Sequence, residues 1–134
     1  MAIDLTKKDK YNRQKGITWW DQSALRSSHV LVVGAGALGN EIVKNLALVG
    51  VGKISIVDMD QIEHTNLARC VFFRSGDEGK YKSDALAAAA KAMNPDVETV
   101  AYSHDGTGVK NFQLIKFLES KGYFVYADTY IKIL

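Results

Sequence analysis

The sequence predicts an α/β fold: a Rossmann-like, doubly wound sheet, mainly parallel, with helices on both faces and apparently truncated. Three observations predict it. An apolar run, HVLVV at 29–33, leads straight into a glycine-rich turn, as strands buried on both faces of a parallel sheet do. A helical pattern follows at once, and a second apolar run then ends in an acid, Asp58. The chain, 134 residues long, suffices for one domain with one core.

The elements follow in order. Residues 1–18 are expected to form a hydrophilic N-terminal arm, either mobile or docked, ahead of the domain at 19–134. Trp19, Trp20, Ala24 and Leu25 suit a short amphipathic helix over 19–28, capped by Asp21 or Ser23, with the two tryptophans as its packing. Ile42, Val43, Leu46, Ala47 and Val49 give helical spacing over 37–49, and Gly50 and Gly52 stop it. Lys44 and Asn45 mark the outer or interface face of that helix. KISIV at 53–57 reads as a second strand, and 59–79 is polar without a clear period. Alanines and leucines predict a helix over 81–93, terminated by Asn94-Pro95. A third strand is expected at 97–102, a helix at 110–120 and a fourth strand at 123–127. Such regular alternation makes a parallel sheet covered by its crossovers.

Composition excludes several classes. A formal net charge of +2 gives no global attraction to nucleic acid or to an anionic membrane. The polar start carries no secretory pattern, and no apolar run is long enough to span a bilayer. One cysteine, Cys70, allows neither an internal disulfide nor a cysteine-cluster zinc site. His64 and His104 have no ligand partners at metal spacing, so no metal ligands are assigned. A cytoplasmic protein is the simplest expectation.

The chemistry-bearing feature is the loop holding Gly34, Gly36, Ala37 and Gly39, a G-x-G-x-x-G that ends a strand and opens a helix. Glycine is needed where the backbone turns sharply and where a ligand or another backbone approaches too closely for a Cβ. The helix behind the loop points free N–H groups and the positive end of its dipole at the turn, which suits a phosphate. Asp58 lies nineteen positions past the last glycine, where an acid accepts hydrogen bonds from ribose hydroxyls in this architecture. The bland alternative is a solvated aspartate in a turn. Loop and acid alone fit a nicotinamide-dependent oxidoreductase as well as an ATP-using enzyme.

The residues beyond Asp58 separate these. YNRQ at 11–14, GAGALGNEIVKNLALVGVG, the pair Asp58 and Asp60, NLAR at 66–69, a G-x-x-K ending at Lys82, and Asn94-Pro95 occur in this order. With these motifs the chain closely resembles the ThiF/MoeB and ubiquitin-activating-enzyme family of adenylyltransferases over 11–97. The resemblance implies ATP and Mg2+, and activation of the C-terminal glycine carboxylate of a ubiquitin-like or sulfur-carrier protein. In that reaction the carboxylate attacks the α-phosphate, forming an acyl-adenylate and releasing pyrophosphate. Charge builds on phosphate oxygens, so fixed cations matter more than an acid or base. By resemblance Asp58 holds the ribose, Asp60 belongs to the nucleotide site, and Asn66, Arg69 and Lys82 contact phosphates. Lys82 has separate support: a cation in the first turn of a helix opposes the dipole, and a nearby anion explains it. A surface charge remains the alternative for Lys82 and Arg69. Arg13 is implied to enter the ATP site of a partner subunit, which calls for a homodimer; the alternative is a solvated arm residue. The family's transferable cysteine lies well downstream, so Cys70 is expected to be packed.

The resemblance also defines departures. Family members continue with further strands and a region that grips the carrier protein, so the chain is expected to be a fragment or a short product. As a short product its activity would need another chain; either way it supplies one half of an adenylation site, and the rival reading is a truncated module that binds nucleotide or a partner protein without turnover. The family strand that ends in a magnesium-placing aspartate aligns with GYFVYADTYIKIL at 122–134. One alignment gives that role to Asp128, and an ungapped one sets Ile131 there. Loss of the far sheet half would expose an edge and apolar helix faces, so self-association is expected.

Overall fold

In the computed structural model, the residues described are 9–103, 120 and 130–133. The elements are α1 (Asn12–Lys15), α2 (Gln22–Ser27), β1 (His29–Val33), α3 (Ala37–Leu48), β2 (Lys53–Val57), α4 (Lys82–Met93), β3 (Glu98–Tyr102) and β4 (Tyr130–Ile133). The strand order is β3-β2-β1-β4. β1 and β3 each pair parallel to β2, with Val32 opposite Ile56 and Ile56 opposite Ala101. β4 pairs antiparallel to β1, Ile131 opposite Val32. The sheet is therefore parallel through three strands, with one reversed strand beside β1. A four-residue run such as YIKI carries no signal of direction, and a strand there was not anticipated. The helix expected at 110–120, save Ser120, and the strand at 123–127 lie outside the described residues.

Period-two alternation decides what each strand buries. Val30, Val32, Ile54 and Ile56 point to one face and are fully buried. On that face lie α3 and α4, packed on the sheet and on each other. Thr99 of β3 belongs to the same face, and its Oγ1 donates to the Ala87 carbonyl of α4 at 3.0 Å. Val43 and Ala47 of α3, and Leu86 and Ala90 of α4, complete the core at helical spacing. On the opposite face His29, Leu31 and Val57 are partly buried, whereas Val33 and Ser55 are buried.

The segment expected to be irregular is an Ω-loop closed at its base. Ile62 N–H donates to the Lys80 carbonyl at 2.8 Å, and Gly79 N–H to the Ile62 carbonyl at 2.9 Å. Ile62, Cys70 and Phe73 turn inward and join the core, which holds the loop against α3.

The start of α2 corrects one expectation. Asp21 is the N-cap, its carboxylate accepting from Ala24 N–H at 2.9 Å. That cap begins the helix at Gln22, so both tryptophans precede it. Trp19 is 77% exposed, its ring tilted against that of Trp20 with centroids 6.0 Å apart, and does not enter the core. Trp20 donates through Nε1 to Gln22 at 3.0 Å instead.

Of the two possibilities for the arm, its described part, Asp9 onward, is docked. Tyr11 is buried against Gly50 at the end of α3. Asn94, just past α4, donates through Nδ2 to Tyr11 Oη and to the Ala47 carbonyl, both at 2.7 Å. Lys10 pairs with Asp96 at 2.8 Å, and that hydrogen bond holds the Asp96 carboxyl below its ordinary range. Asn94→Ala removes both buried hydrogen bonds, leaving the Ala47 carbonyl with Gly50 N–H at 3.1 Å. The expected cost is about 1–3 kcal/mol, read as a lower denaturation midpoint with unchanged slope. An unchanged midpoint would contradict this role for Asn94.

Candidate functional site

The site sits at the carboxyl ends of β1 and β2, where open α/β sheets place ligands. Gly34 follows β1 with φ at +105°, a conformation that excludes most side chains. The turn brings Gly39, in the first turn of α3, so close that a Cβ there would lie 1.9 Å from the Gly34 carbonyl oxygen. Gly36 is the reverse case: a Cβ there meets nothing within 4 Å among the described residues. Gly39 is thus a packing glycine, and Gly36 leaves room beside the backbone. Gly36 is also the N-cap of α3, and no side chain makes a capping hydrogen bond there. The first N–H groups of that helix have no intrahelical partner, so the turn is a site for anionic oxygens.

Asp58 ties this loop to β2. One carboxylate oxygen accepts from Ala35 N–H at 2.7 Å, the other from Asp60 N–H at 2.8 Å. A carboxylate offers about four acceptor positions, so two remain for hydroxyl donors. The same turn seats α4. Lys82 N–H donates to the Asp60 carbonyl at 2.9 Å, and the buried Ser83 hydroxyl donates to the Asp58 carbonyl at 3.1 Å. Lys82 Nζ pairs with Asp60 at 3.3 Å, and its side chain is 14% exposed against 70% for Asp60. Lys82 is therefore not a free surface lysine. An anion beside Lys82 is, in this structure, Asp60, and the first turn of α4 also carries Asp84.

Asn66 and Arg69 ride on the Ω-loop. Asn66 is buried, and its Oδ1 accepts from Glu63 N–H at 2.8 Å in a reciprocal capping arrangement. Arg69 is exposed. Cys70 is packed, as expected, and burial pushes its thiol up; Arg69 and Lys82 oppose that shift, while Asp58 adds to it. The thiol therefore lies within electrostatic reach of all three, and these expected site residues share one end of the domain. His64 is exposed and hydrogen-bonds Glu78 at 3.2 Å, whereas His104 lies outside the described residues. Lys44 pairs with Glu41, and Asn45 is exposed, on the outer side of α3.

Arg13 is elsewhere. α1 docks at the ends of α3 and α4 remote from the glycine loop, and α3, twelve residues long, separates them by roughly 18 Å. Arg13 cannot serve the site of its own chain. Asp128 lies outside the described residues, and Ile131 is in β4. Sequence reasoning missed two residues, Asn40 and Ser83. Both are buried polar side chains bonded to the backbone of the site. A polar residue among the apolar positions of a helix was the available signal.

A family model described as the ThiF family matches residues 11–123. The chain belongs to the ThiF family. Human ubiquitin-like modifier-activating enzyme 7 is 46% identical over 88 residues, covering 62% of this chain and 9% of that protein. The SAMP-activating enzyme E1 of Haloferax volcanii is 40% identical over 100 residues, 72% of this chain and 37% of that protein. The crystal structure of E. coli MccB with ATP superposes with a TM-score of 0.72 at 27% identity, covering 85% of this chain and 35% of MccB. This ThiF-family chain thus spans between about a tenth and somewhat over a third of the relatives it matches. Its relatives are activating enzymes by name, which supports the adenylation family over the oxidoreductase reading. No helix among the described residues is long and apolar enough to cross a membrane.

Proposed function

We propose that this chain supplies the nucleotide-binding part of an enzyme that adenylates the C-terminal glycine carboxylate of a ubiquitin-like or sulfur-carrier protein in the cytoplasm. The observation that carries the reading is the hydrogen-bonded junction of the glycine loop, Asp58 and the Asp60–Lys82 pair. It sets a ribose acceptor, an anion-binding helix end and a cation side by side. The NLAR and G-x-x-K motifs that carry Arg69 and Lys82 favour this reading over an oxidoreductase.

In this reading the two remaining acceptor positions of Asp58 take the ribose hydroxyls. The N–H groups of Gly36 and Ala37 face the phosphates, with the open space at Gly36 admitting them. Lys82, held by Asp60, and Arg69 neutralise the charge that develops on the phosphates during carboxylate attack. Asn66 has its Oδ1 committed to Glu63, so its Nδ2 is the end that reaches a phosphate oxygen. A magnesium ion would be held by one or two carboxylates together with substrate phosphates and would screen the same charge. The exposed carboxylate of Asp60 suits such a role, and Asp128 is the candidate to place the ion. Arg13 acts on the site of a second copy, because the distance within one chain is too great; the arm at 1–18 thereby serves a homodimer.

ATP–pyrophosphate exchange with a carrier protein present tests this. Exchange that disappears in Lys82→Ala is the expected result. Absence of exchange with every ubiquitin-like or sulfur-carrier protein tried, despite ATP binding, would favour a non-catalytic nucleotide-binding module.

A further inference from the structure

Asn40 is 0% exposed, and its side chain makes three hydrogen bonds to backbone atoms of two separate loops. Nδ2 donates to the carbonyls of Ala35 and Gly36, each at 3.0 Å. Oδ1 accepts from Phe72 N–H at 3.1 Å. The first pair lies in the glycine loop, and Phe72 lies in the Ω-loop three residues beyond Arg69. We propose that Asn40 is a positioning residue that aims the anion-binding N–H groups of the glycine loop and locks that loop to the one carrying Arg69. The proposal rests on the adenylation reading for its ligand, and on the geometry alone for the lock.

The aiming follows from peptide planarity. In a trans peptide the carbonyl of one residue and the N–H of the next point in opposite directions. The Asn40 side chain draws the Ala35 carbonyl inward and, together with its own backbone N–H at 2.9 Å, the Gly36 carbonyl, so the N–H groups of Gly36 and Ala37 are turned outward. Those are the two groups at the open N-terminus of α3, beside the space that Gly36 leaves. Ala35 N–H, in contrast, is committed to Asp58 at 2.7 Å. The lock follows from the shape of the amide. Asparagine presents donors on one side and an acceptor on the other, so one side chain satisfies both loops. Aspartate would set an oxygen against the two carbonyls, and serine cannot span from α3 to Phe72. Losing the lock would let the Ω-loop, and Arg69 with it, shift relative to the phosphate-binding turn.

The test uses the full chain and two readouts. Amide hydrogen exchange of wild type, Asn40→Ala and Asn40→Ser is followed at Phe72 and at the core amides of β1 and β2. Calorimetric titration with Mg·ATP is run on the same proteins, on Arg69→Ala, and on the Asn40→Ala/Arg69→Ala double variant. We expect Phe72 exchange to rise at least tenfold while core amides stay within about threefold, as for a local opening. ATP affinity should fall about tenfold or more in Asn40→Ala, and the penalty of Arg69→Ala should shrink in that background. A purely structural Asn40 would leave the Arg69 penalty unchanged, and that result would overturn the positioning role. Unchanged Phe72 exchange would overturn the lock. Should Asn40→Ala lose core protection too, Asn40→Ser decides by the same criteria, since its hydroxyl can still donate to the i−4 carbonyl of Gly36 while leaving Phe72 N–H without its partner. If the wild type binds no ATP, the adenylation reading fails, while the Phe72 readout still decides the lock.

Discussion

Gly39→Ala should cost about 3 kcal/mol or more, whereas Gly36→Ala, three positions away, should cost about 1 kcal/mol or less, from the poorer N-cap. In helix propensity alone alanine outranks glycine by about 1 kcal/mol, so the sign at Gly39 is set entirely by packing. A Cβ at Gly39 would meet the Gly34 carbonyl oxygen at 1.9 Å, and backbone cannot rotate away as a side chain could. Relief would require α3 to move off β1, opening the core around Val43 and Ala47. At Gly36 the same methyl group meets open space. Its larger cost should appear in ligand binding, as an ATP affinity lowered about tenfold, because the methyl group stands where phosphate oxygens must come close. Denaturation curves and titrations of the two variants check the pair. A stable Gly39→Ala would contradict the packing described for the turn.

Lys82→Ala should lower the exchange rate by about 100- to 1000-fold, the usual consequence of removing one preorganised group that stabilises developing charge. Its effect on folding should be under about 1 kcal/mol, since Asp60 is largely exposed and such pairs contribute little. Asp60→Asn separates the two functions of this pair. It keeps the backbone contacts that seat α4 but loosens the lysine, so a smaller rate loss than that of Lys82→Ala is expected. Equal losses of stability and rate in Lys82→Ala would mean that the lysine is structural.

Much of this site was legible beforehand because it is local. A strand, a glycine turn, a helix start and an acid at the next strand end are read from consecutive residues, and the bounds of β2 matched residue for residue. Strand β1 announced itself by a continuous apolar run, and β2 by its β-branched residues Ile54, Ile56 and Val57 ahead of Asp58. The Ω-loop did not, because its inward residues Ile62, Cys70 and Phe73 follow no single period and are joined by turns rather than a ladder. Asn40 was hidden for a related reason: its partners are 5, 4 and 32 residues away, and only folding places them together. The direction of β4 and the packing of Trp19 were likewise matters of tertiary context. Lys82 was singled out by an argument from the helix dipole, and the structure supplies an anion for it within the chain. That narrows the dipole argument without removing the lysine from the site.

We propose the turn from Gly34 to Gly39, with Asp58 and Lys82, as an ATP site built for adenylation. Calorimetric titration of the chain with Mg·ATP and, separately, with NAD tests it most directly. Saturable ATP binding that weakens at least tenfold in Lys82→Ala, with NAD binding weak or absent, is the predicted result. Tight NAD binding with no ATP binding, indifferent to Lys82→Ala, would contradict it.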